Sequence, residues 1–160
     1  MRLYIAEKLT MLRTTFLLPL TLLTAVFAIA QESPVQWSFH ATKTADKTYD
    51  VTMLASVQSP WHIYSQTTPE GGPVPTQITF NKNPLLVFDG KAKESGKLIT
   101  EYEEVFGVDE IYFDGKASFV QTVKLKANVK TNLSGKIKFM VCNDKQCLPP
   151  KEVPFSVALQ

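Results

Sequence analysis

The sequence is poor in the residues that metal centres and disulfide frameworks need. Its 160 residues include only two cysteines and two histidines. A zinc site takes four nitrogen or sulfur ligands, or three with a water molecule. The chain offers Cys142, Cys147, His40 and His62, with no second cysteine pair. A metal centre is therefore disfavoured, and we expect no metal and no cofactor.

Sustained helical periodicity, internal repeats and basic clusters are also missing from the sequence. The first 30 residues hold three basic residues and one acidic residue, which leaves 14 of each sign in the remainder. A neutral domain without a basic patch gives no reason to expect nucleic acid or anionic lipid as a partner.

The first 30 residues have the layout of a secretory signal peptide. A basic start precedes the uncharged residues 14–30, which end in the small-x-small pattern Ala28-Ile29-Ala30. An uncleaved anchor is the alternative, because an apolar run of about 17 residues is near the lower limit for spanning a bilayer. Pro19 and the Ala-Ile-Ala ending favour cleavage. We expect a signal peptide at residues 1–30, starting at Met1 or Met11, and an exported domain at residues 31–160 that is not stably inserted in a membrane.

The remaining sequence alternates apolar and polar residues with a period of two, which is typical of strands with one buried face. Asp89-Gly90 and Asp114-Gly115 are turn signals that follow two of these runs. About eight short strands predict an all-β, antiparallel sandwich. The clearest runs place these residues on one face: Val35, Trp37 and Phe39; Val51, Met53 and Ala55; Phe119, Gln121, Val123 and Leu125; Ile137, Phe139 and Val141; Val153, Phe155, Val157 and Leu159.

Both cysteines lie in the stretch MVCNDKQCLPP, with four residues between them. An exported protein meets an oxidising environment, so Cys142 and Cys147 are expected to pair with each other. Cys142 ends one predicted strand, and Cys147 comes just before the last strand. The pair should therefore lie on the loop of a terminal hairpin.

The residues alone leave two main interpretations of the cysteine pair open. As a structural staple, so short a loop adds only roughly 2 kcal/mol on the chain-entropy model. As an exchange-active disulfide, a short exposed ring is reachable by an attacking thiolate. A thioredoxin motif is nearly excluded, because it has two intervening residues and begins a helix.

The chain resembles the N-terminal periplasmic domain of the thiol:disulfide interchange protein DsbD. The resemblance rests on three stretches in the same order and spacing: WHIYSQ at 61–66, EEVFGVDEIY at 103–112, and CNDKQCLPP at 142–150. It covers essentially the whole chain after residue 30. The resemblance implies an immunoglobulin-like β-sandwich in the periplasm whose cysteine pair exchanges disulfides with partner proteins.

The resemblance also implies roles for individual residues. Cys147 would form the mixed disulfide with a partner, and Cys142 would resolve it. Tyr64 matches a tyrosine beside the active site, and His62 stands at a neighbouring aromatic position. A cap loop would shield the pair until a partner docks; it comprises Glu103, Glu104, Val105, Phe106 and Gly107.

Three departures from the family pattern bear on these roles. The residue after the two acids is normally a shielding aromatic, but Val105 stands there and Phe106 follows. The loop between the cysteines is one residue shorter than in the best-known members. The chain ends at Gln160, without the membrane and thioredoxin-like domains of the full protein, so we expect electrons to come from a separate donor.

Together these observations predict an exported thiol–disulfide exchange domain that uses Cys142 and Cys147. Reducing equivalents would pass between a thioredoxin-like or membrane electron donor and periplasmic acceptors, such as disulfide isomerases or cytochrome c maturation factors. The alternative is a non-enzymatic binding module in which the disulfide only braces a recognition loop.

Overall fold

The computed structural model describes residues 33–105 and 107–160, which form strands and connecting turns without a helix. The predicted signal peptide at residues 1–30 lies outside the described residues. The strands are β1 Val35–Ala45, β2 Thr48–Val57, β3 His62–Tyr64, β4 Gln77–Phe80, β5 Leu86–Glu103, β6 Val108–Leu125, β7 Thr131–Asn143 and β8 Gln146–Leu159. Within the described ranges, no helix is long and apolar enough to cross a membrane.

The strands form one curled antiparallel sheet. Their order is β1-β2-β6-β3-β7-β4, with β5 added along β6 and β8 added along β7. The three-residue β3 pairs with β6 on one side and β7 on the other, so it joins the two halves of the sheet. The sheet curls until β1 contacts β8. This architecture confirms the predicted immunoglobulin-like, all-β sandwich.

The hydrophobic core lies between the two halves, where the predicted alternation is confirmed. Val51 and Met53 of β2 are fully buried. The Trp37 ring from β1 lies 5.9 Å from the Phe119 ring of β6 and 5.4 Å from the Phe139 ring of β7, measured between centroids. Trp37 therefore ties the first strand to both halves of the sheet.

Two predicted turns are wrong, because the strands continue through them. Gly90 lies within β5 and Gly115 within β6, with φ values of 64° and 80°. The β5–β6 pairing shifts register between Asp89 and Lys93 and again beside Gly115. Glycine at positive φ suits a β-bulge as well as a turn. β5 and β6 stay paired with each other on both sides of these glycines, so the glycines form bulges and not turns.

The position predicted for Cys147 also needs correction. Cys147 lies within β8, directly opposite Cys142, because β8 begins at Gln146. Pro149 and Pro150 occupy a register shift opposite β7. Proline cannot donate to a ladder but is accepted at bulges and on edge strands. Among the described strands, β8 pairs with β7 alone. The double proline therefore interrupts the strand pairing locally without ending the strand.

Candidate functional site

Cys142 and Cys147 form a disulfide across the β7–β8 hairpin. The two residues are directly paired in the strand register. The connecting turn is closed by Asn143, whose side-chain oxygen accepts hydrogen bonds from the backbone nitrogens of Lys145 and Gln146, both at 2.9 Å. This is the local chemistry by which asparagine stabilises a turn. The predicted terminal hairpin and the predicted pairing are thus both present.

The two sulfurs differ in their access to solvent. Cys142 is only 3% exposed, whereas Cys147 is exposed. Val141 and Phe139 point into the core. Since side chains alternate along a strand, Cys142 points to the opposite face. The disulfide therefore lies outside the hydrophobic core, with its Cys147 end turned to solvent.

A row of side chains crosses five neighbouring strands at the level of the disulfide. His62 of β3 pairs with Cys142 on one side and with Asp114 of β6 on the other. Asp114 pairs with Lys97 of β5, and the two form an ion pair with an N–O distance of 2.6 Å. Directly paired residues share a face of the sheet. His62 is therefore the immediate cross-strand neighbour of the buried cysteine.

His62 belongs to an aromatic and hydrogen-bonded cluster. Its ring stacks on Tyr112 with centroids 4.1 Å apart, and its Nε2 lies 3.2 Å from the Tyr64 hydroxyl. Tyr64 donates to the Glu110 carboxylate at 3.3 Å, and Tyr112 donates to Glu101 at 2.9 Å. The three rings thus connect the cysteine pair to two carboxylates on the β5–β6 hairpin.

This cluster and the disulfide line one open groove of about 320 Å³. Four acidic residues lie along it: Glu101, Glu103, Glu110 and Asp144. Negative charge disfavours a neighbouring thiolate, as it disfavours any like charge. Lys145 is the one lysine among the described residues that line the groove, so the surroundings are acidic overall and favour the protonated thiols of the reduced pair.

Burial and charge shift the proton affinities in the groove. Burial raises the pKa of Tyr64 well above its ordinary value, and the Glu110 charge adds to the effect. Burial also raises the pKa of Tyr112 to about 12, with the hydrogen bond to Glu101 as the next cause. The pKa of Glu110 is raised by burial despite its hydrogen bond from Tyr64. Both tyrosines consequently act as hydrogen-bond donors.

A larger groove, of about 530 Å³, lies elsewhere, where Phe80 of β4 and Phe88 of β5 contribute to its lining. Among the described residues, none lines both grooves, and neither cysteine lines the larger one. Size alone therefore does not identify the site for redox chemistry. In residues 33–105 and 107–160, no cluster of three His, Cys, Asp or Glu side chains is arranged to hold a metal ion.

The predicted cap loop is the tip of the β5–β6 hairpin. Glu103 pairs with Val108 at the base of the tip, and its side chain reaches the groove. The Val105 backbone nitrogen donates to the Glu103 carboxylate at 3.1 Å, and the Gly107 nitrogen donates to the Glu103 carbonyl at 2.8 Å. The Val105 side chain is 83% exposed. Phe106 lies outside the described residues.

The sequence matches a known family along most of its length. The family profile for the N-terminal domain of the thiol:disulfide interchange protein DsbD covers residues 29–158. The chain belongs to this family. Membership together with the bonded cysteine pair supports a thiol–disulfide exchange domain. No curated protein sequence matches the chain significantly.

One solved structure shows the same fold as this DsbD N-terminal family member. The DsbD N-terminal domain of Neisseria meningitidis in its reduced form has a TM-score of 0.51 and 15% identity, covering 78% of this chain and 85% of that one. The N-terminal periplasmic domain of ScsB from Proteus mirabilis has a TM-score of 0.47 and 16% identity, covering 78% of this chain and 44% of that one. At such identities the first likeness establishes the fold and nothing finer.

Sequence reasoning placed Glu103, His62 and Tyr64 beside the cysteines of this DsbD-like domain, and all three line the groove. It missed Glu101, Glu110 and Tyr112. The missed residues alternate along β5 and β6, so period-two spacing puts Glu110 and Tyr112 on one face. This spacing does not by itself place these residues beside the cysteines. They lie there because β3 pairs with both β6 and β7.

Proposed function

We propose that this chain is an exported thiol–disulfide exchange domain that works through Cys142 and Cys147. The observation that carries the proposal is the unequal exposure of the two residues, with Cys142 buried and Cys147 exposed. Exchange proceeds by attack of a thiolate on one sulfur of a disulfide, so access decides which sulfur is attacked. Cys147 is the exchanging residue, and Cys142 is the resolving residue.

Reduction of the domain takes two balanced steps. A thiolate of the donor attacks Cys147 Sγ, the disulfide breaks, and the electron pair leaves on Cys142 Sγ. The donor is then bound to Cys147 by a mixed disulfide. The donor's second thiolate attacks the donor sulfur of that mixed disulfide, which releases Cys147 as a thiolate and leaves the donor oxidised.

Delivery to an acceptor runs the same chemistry in reverse order. The Cys147 thiolate attacks a disulfide of the acceptor and forms a new mixed disulfide. Cys142 then attacks Cys147 Sγ, restores the internal disulfide and releases the reduced acceptor. The domain gains and loses two electrons in each cycle, so it needs no cofactor of its own.

The donor is a thioredoxin-like or membrane protein, and the acceptors are disulfide-bearing proteins of the periplasm, including disulfide isomerases and cytochrome c maturation factors. The family supports thioredoxin-like redox partners as a class. Export rests on the signal-peptide pattern of residues 1–30 and on the periplasmic location of DsbD N-terminal domains. The working domain would be residues 31–160.

The hairpin tip from Glu103 to Gly107 is proposed as a gate over the exchange site. Its support is the position of Glu103, which lines the disulfide groove and also bonds to the tip backbone. Docking of a partner against Glu103 would disturb these bonds and move the tip. Gating of this kind limits reaction with small thiols while admitting the correct partner.

The redox potential of Cys142–Cys147 tests the proposal against a purely structural brace. The protein would be equilibrated in glutathione and dithiothreitol buffers, and its free thiols alkylated and counted by mass. A midpoint of about −200 to −270 mV lies among exchange proteins and supports the proposal. A midpoint well below about −300 mV is typical of structural disulfides and would favour the binding module.

A further inference from the structure

We propose that His62 accepts the proton of Cys142 when Cys142 resolves the mixed disulfide on Cys147. This inference rests on the proposed exchange function and assigns a proton-transfer role within it. It concerns the resolving step only, because the exposed Cys147 can exchange its proton with solvent, whereas the buried Cys142 cannot do so freely.

The strand register brings the two residues together. His62 and Cys142 are directly opposed on β3 and β7. Opposed side chains in an antiparallel pair have Cβ atoms about 4.5–5.5 Å apart on the same face. An imidazole nitrogen and a thiol can meet across that gap, and both residues line the same groove.

The hydrogen bonds around His62 determine which ring nitrogen is free to act as a base. Tyr64 has one hydroxyl proton, and it donates that proton to the Glu110 carboxylate. The Tyr64 oxygen can therefore only accept from His62 Nε2, 3.2 Å away. Neutral imidazole carries one N–H, so Nδ1 holds the lone pair. Tyr64 and Glu110 are positioning residues that set this tautomer.

The electrostatic surroundings keep the imidazole neutral yet basic. Burial lowers the pKa of His62 from its ordinary value, while three carboxylates oppose that shift: Asp144 of the β7–β8 turn, Glu101 of β5 and Asp114 of β6. Lys97 of this row is paired to Asp114, and Lys145 of the β7–β8 turn is a second cation that lines the groove. Tyr112 stacks on the ring, and Tyr64 contacts its edge. A neutral His62 can take a proton, and the nearby carboxylates then stabilise the imidazolium.

The proposed step is balanced in atoms and electrons. The Cys142 thiol transfers its proton to His62 Nδ1, and the Cys142 sulfur attacks Cys147 Sγ. The bond between Cys147 and the partner sulfur breaks, and its electron pair leaves on the partner as a thiolate. In the reverse direction the imidazolium returns the proton to Cys142 as that sulfur leaves.

Stopped-flow oxidation of the reduced protein by dithiobis(nitrobenzoate) separates the steps. Attack by Cys147 releases one coloured thiolate, and attack by Cys142 on the mixed disulfide releases a second. We expect His62→Gln to leave the first phase unchanged and to slow the second about 100-fold near neutral pH, in the range of general-base catalysis. The two second-phase rates should converge well above the thiol pKa of about 8.5, where Cys142 ionises without help.

His40→Gln is the matched control, because His40 is the other histidine and lies exposed on β1. It should leave both phases unchanged. Tyr64→Phe keeps the ring but removes the hydroxyl, so we expect a smaller slowing of the second phase and a changed pH profile. In the unaltered protein, the rate of the second phase should increase with pH. The inflection of this curve should fall at the pH at which His62 titrates by NMR.

A second phase of His62→Gln equal to that of the unaltered protein at every pH overturns the role of His62. If His62→Gln does not fold, the pH dependence of the second-phase rate in the unaltered protein still tests the proposal. A rate that follows only the ionisation of the thiol overturns the role of His62 as well. Failure of the exchange function looks different. The redox potential of Cys142–Cys147 would then lie in the range of structural disulfides, and that result overturns both proposals whatever the second-phase rates are.

Discussion

Cys142 and Cys147 face each other across β7 and β8, yet the first is 3% exposed and the second is open to solvent. The difference follows from the strand ladder on either side. Cys142 lies in β7, which has β3 as a further neighbour at His62, whereas Cys147 lies in the edge strand β8. The two bonded cysteines therefore differ in how easily the thiol of a partner can reach their sulfur atoms.

Single cysteine variants should show this difference directly. Cys142→Ala leaves the exposed thiol of Cys147, which should form a mixed disulfide that persists because nothing resolves it. Cys147→Ala leaves the buried thiol, which should react at least tenfold more slowly with a bulky disulfide reagent. The measurement is the alkylation and mixed-disulfide yield by mass spectrometry. Equal rates for the two variants would contradict the assignment of Cys147 as the exchanging residue.

The proposed gate can be tested at the hairpin tip. Replacing both Val105 and Phe106 with Ala should raise the rate of reduction by dithiothreitol several-fold if the tip shields the disulfide. Val105→Ala alone is the control, since that side chain is 83% exposed and does not line the groove. It should leave the rate unchanged. An unchanged rate in the double variant would remove the support for gating.

Glu110 should make the stability of the fold depend on pH. Its pKa is raised in the folded protein, mainly by burial, above the ordinary 4.5. The folded state therefore holds this proton more tightly than the unfolded chain, and the resulting stabilisation is complete below pH 4.5. The stabilisation is lost as the pH rises through the folded-state pKa.

Glu110→Gln removes that dependence, because glutamine stays neutral. The free energy of unfolding of Glu110→Gln, relative to that of the unaltered protein, should increase as the pH is raised from about 4 to 7. Urea titrations across this range measure it. Glu70→Gln, a substitution at an exposed glutamate outside the groove, reports the effect of simply removing one carboxylate. A difference that shrinks with rising pH would show that the pKa of Glu110 is lowered instead.

Gly135 is required where β4 and β8 both approach β7. A Cβ at this position would meet the Thr79 carbonyl oxygen and lie 2.9 Å from Cζ of Phe155. Overpacking of this kind costs about 1–3 kcal/mol, so Gly135→Ala should lower the melting temperature by several degrees. Asn132→Ala, at an exposed position on the same strand, should change stability by less than about 0.5 kcal/mol. Thermal unfolding followed by circular dichroism compares the two.

The strands were predictable because burial on one face of a sheet imposes a two-residue alternation. Val51 and Met53 could be assigned to the core from β2 alone, and both are fully buried. Strand ends were less predictable. Gly90 and Gly115 adopt the positive φ that their sequence suggested, but their neighbours pair across them. A local signal specifies the backbone conformation, and the partner strand specifies whether the chain reverses.

The residues of the candidate site were also predictable only in part. Cys142 and Cys147 could be paired from their short separation and the expected export. Glu101, Glu110 and Tyr112 could not be assigned to the site, because they come close to the cysteines only through β3, which pairs with both β6 and β7. A strand of three residues carries too little alternation to reveal its partners.

The sequence by itself determined the all-β class, the family and the two sulfurs, since alternation, motif and cysteine count are properties of the chain. The tertiary structure alone decided that Cys147 is exposed, that His62 lies beside Cys142, and that the disulfide faces an acidic groove. The reason is that exposure and electrostatic surroundings depend on which distant segments pack together. Those contacts span β3, β5, β6 and β7, and no local stretch of sequence encodes them.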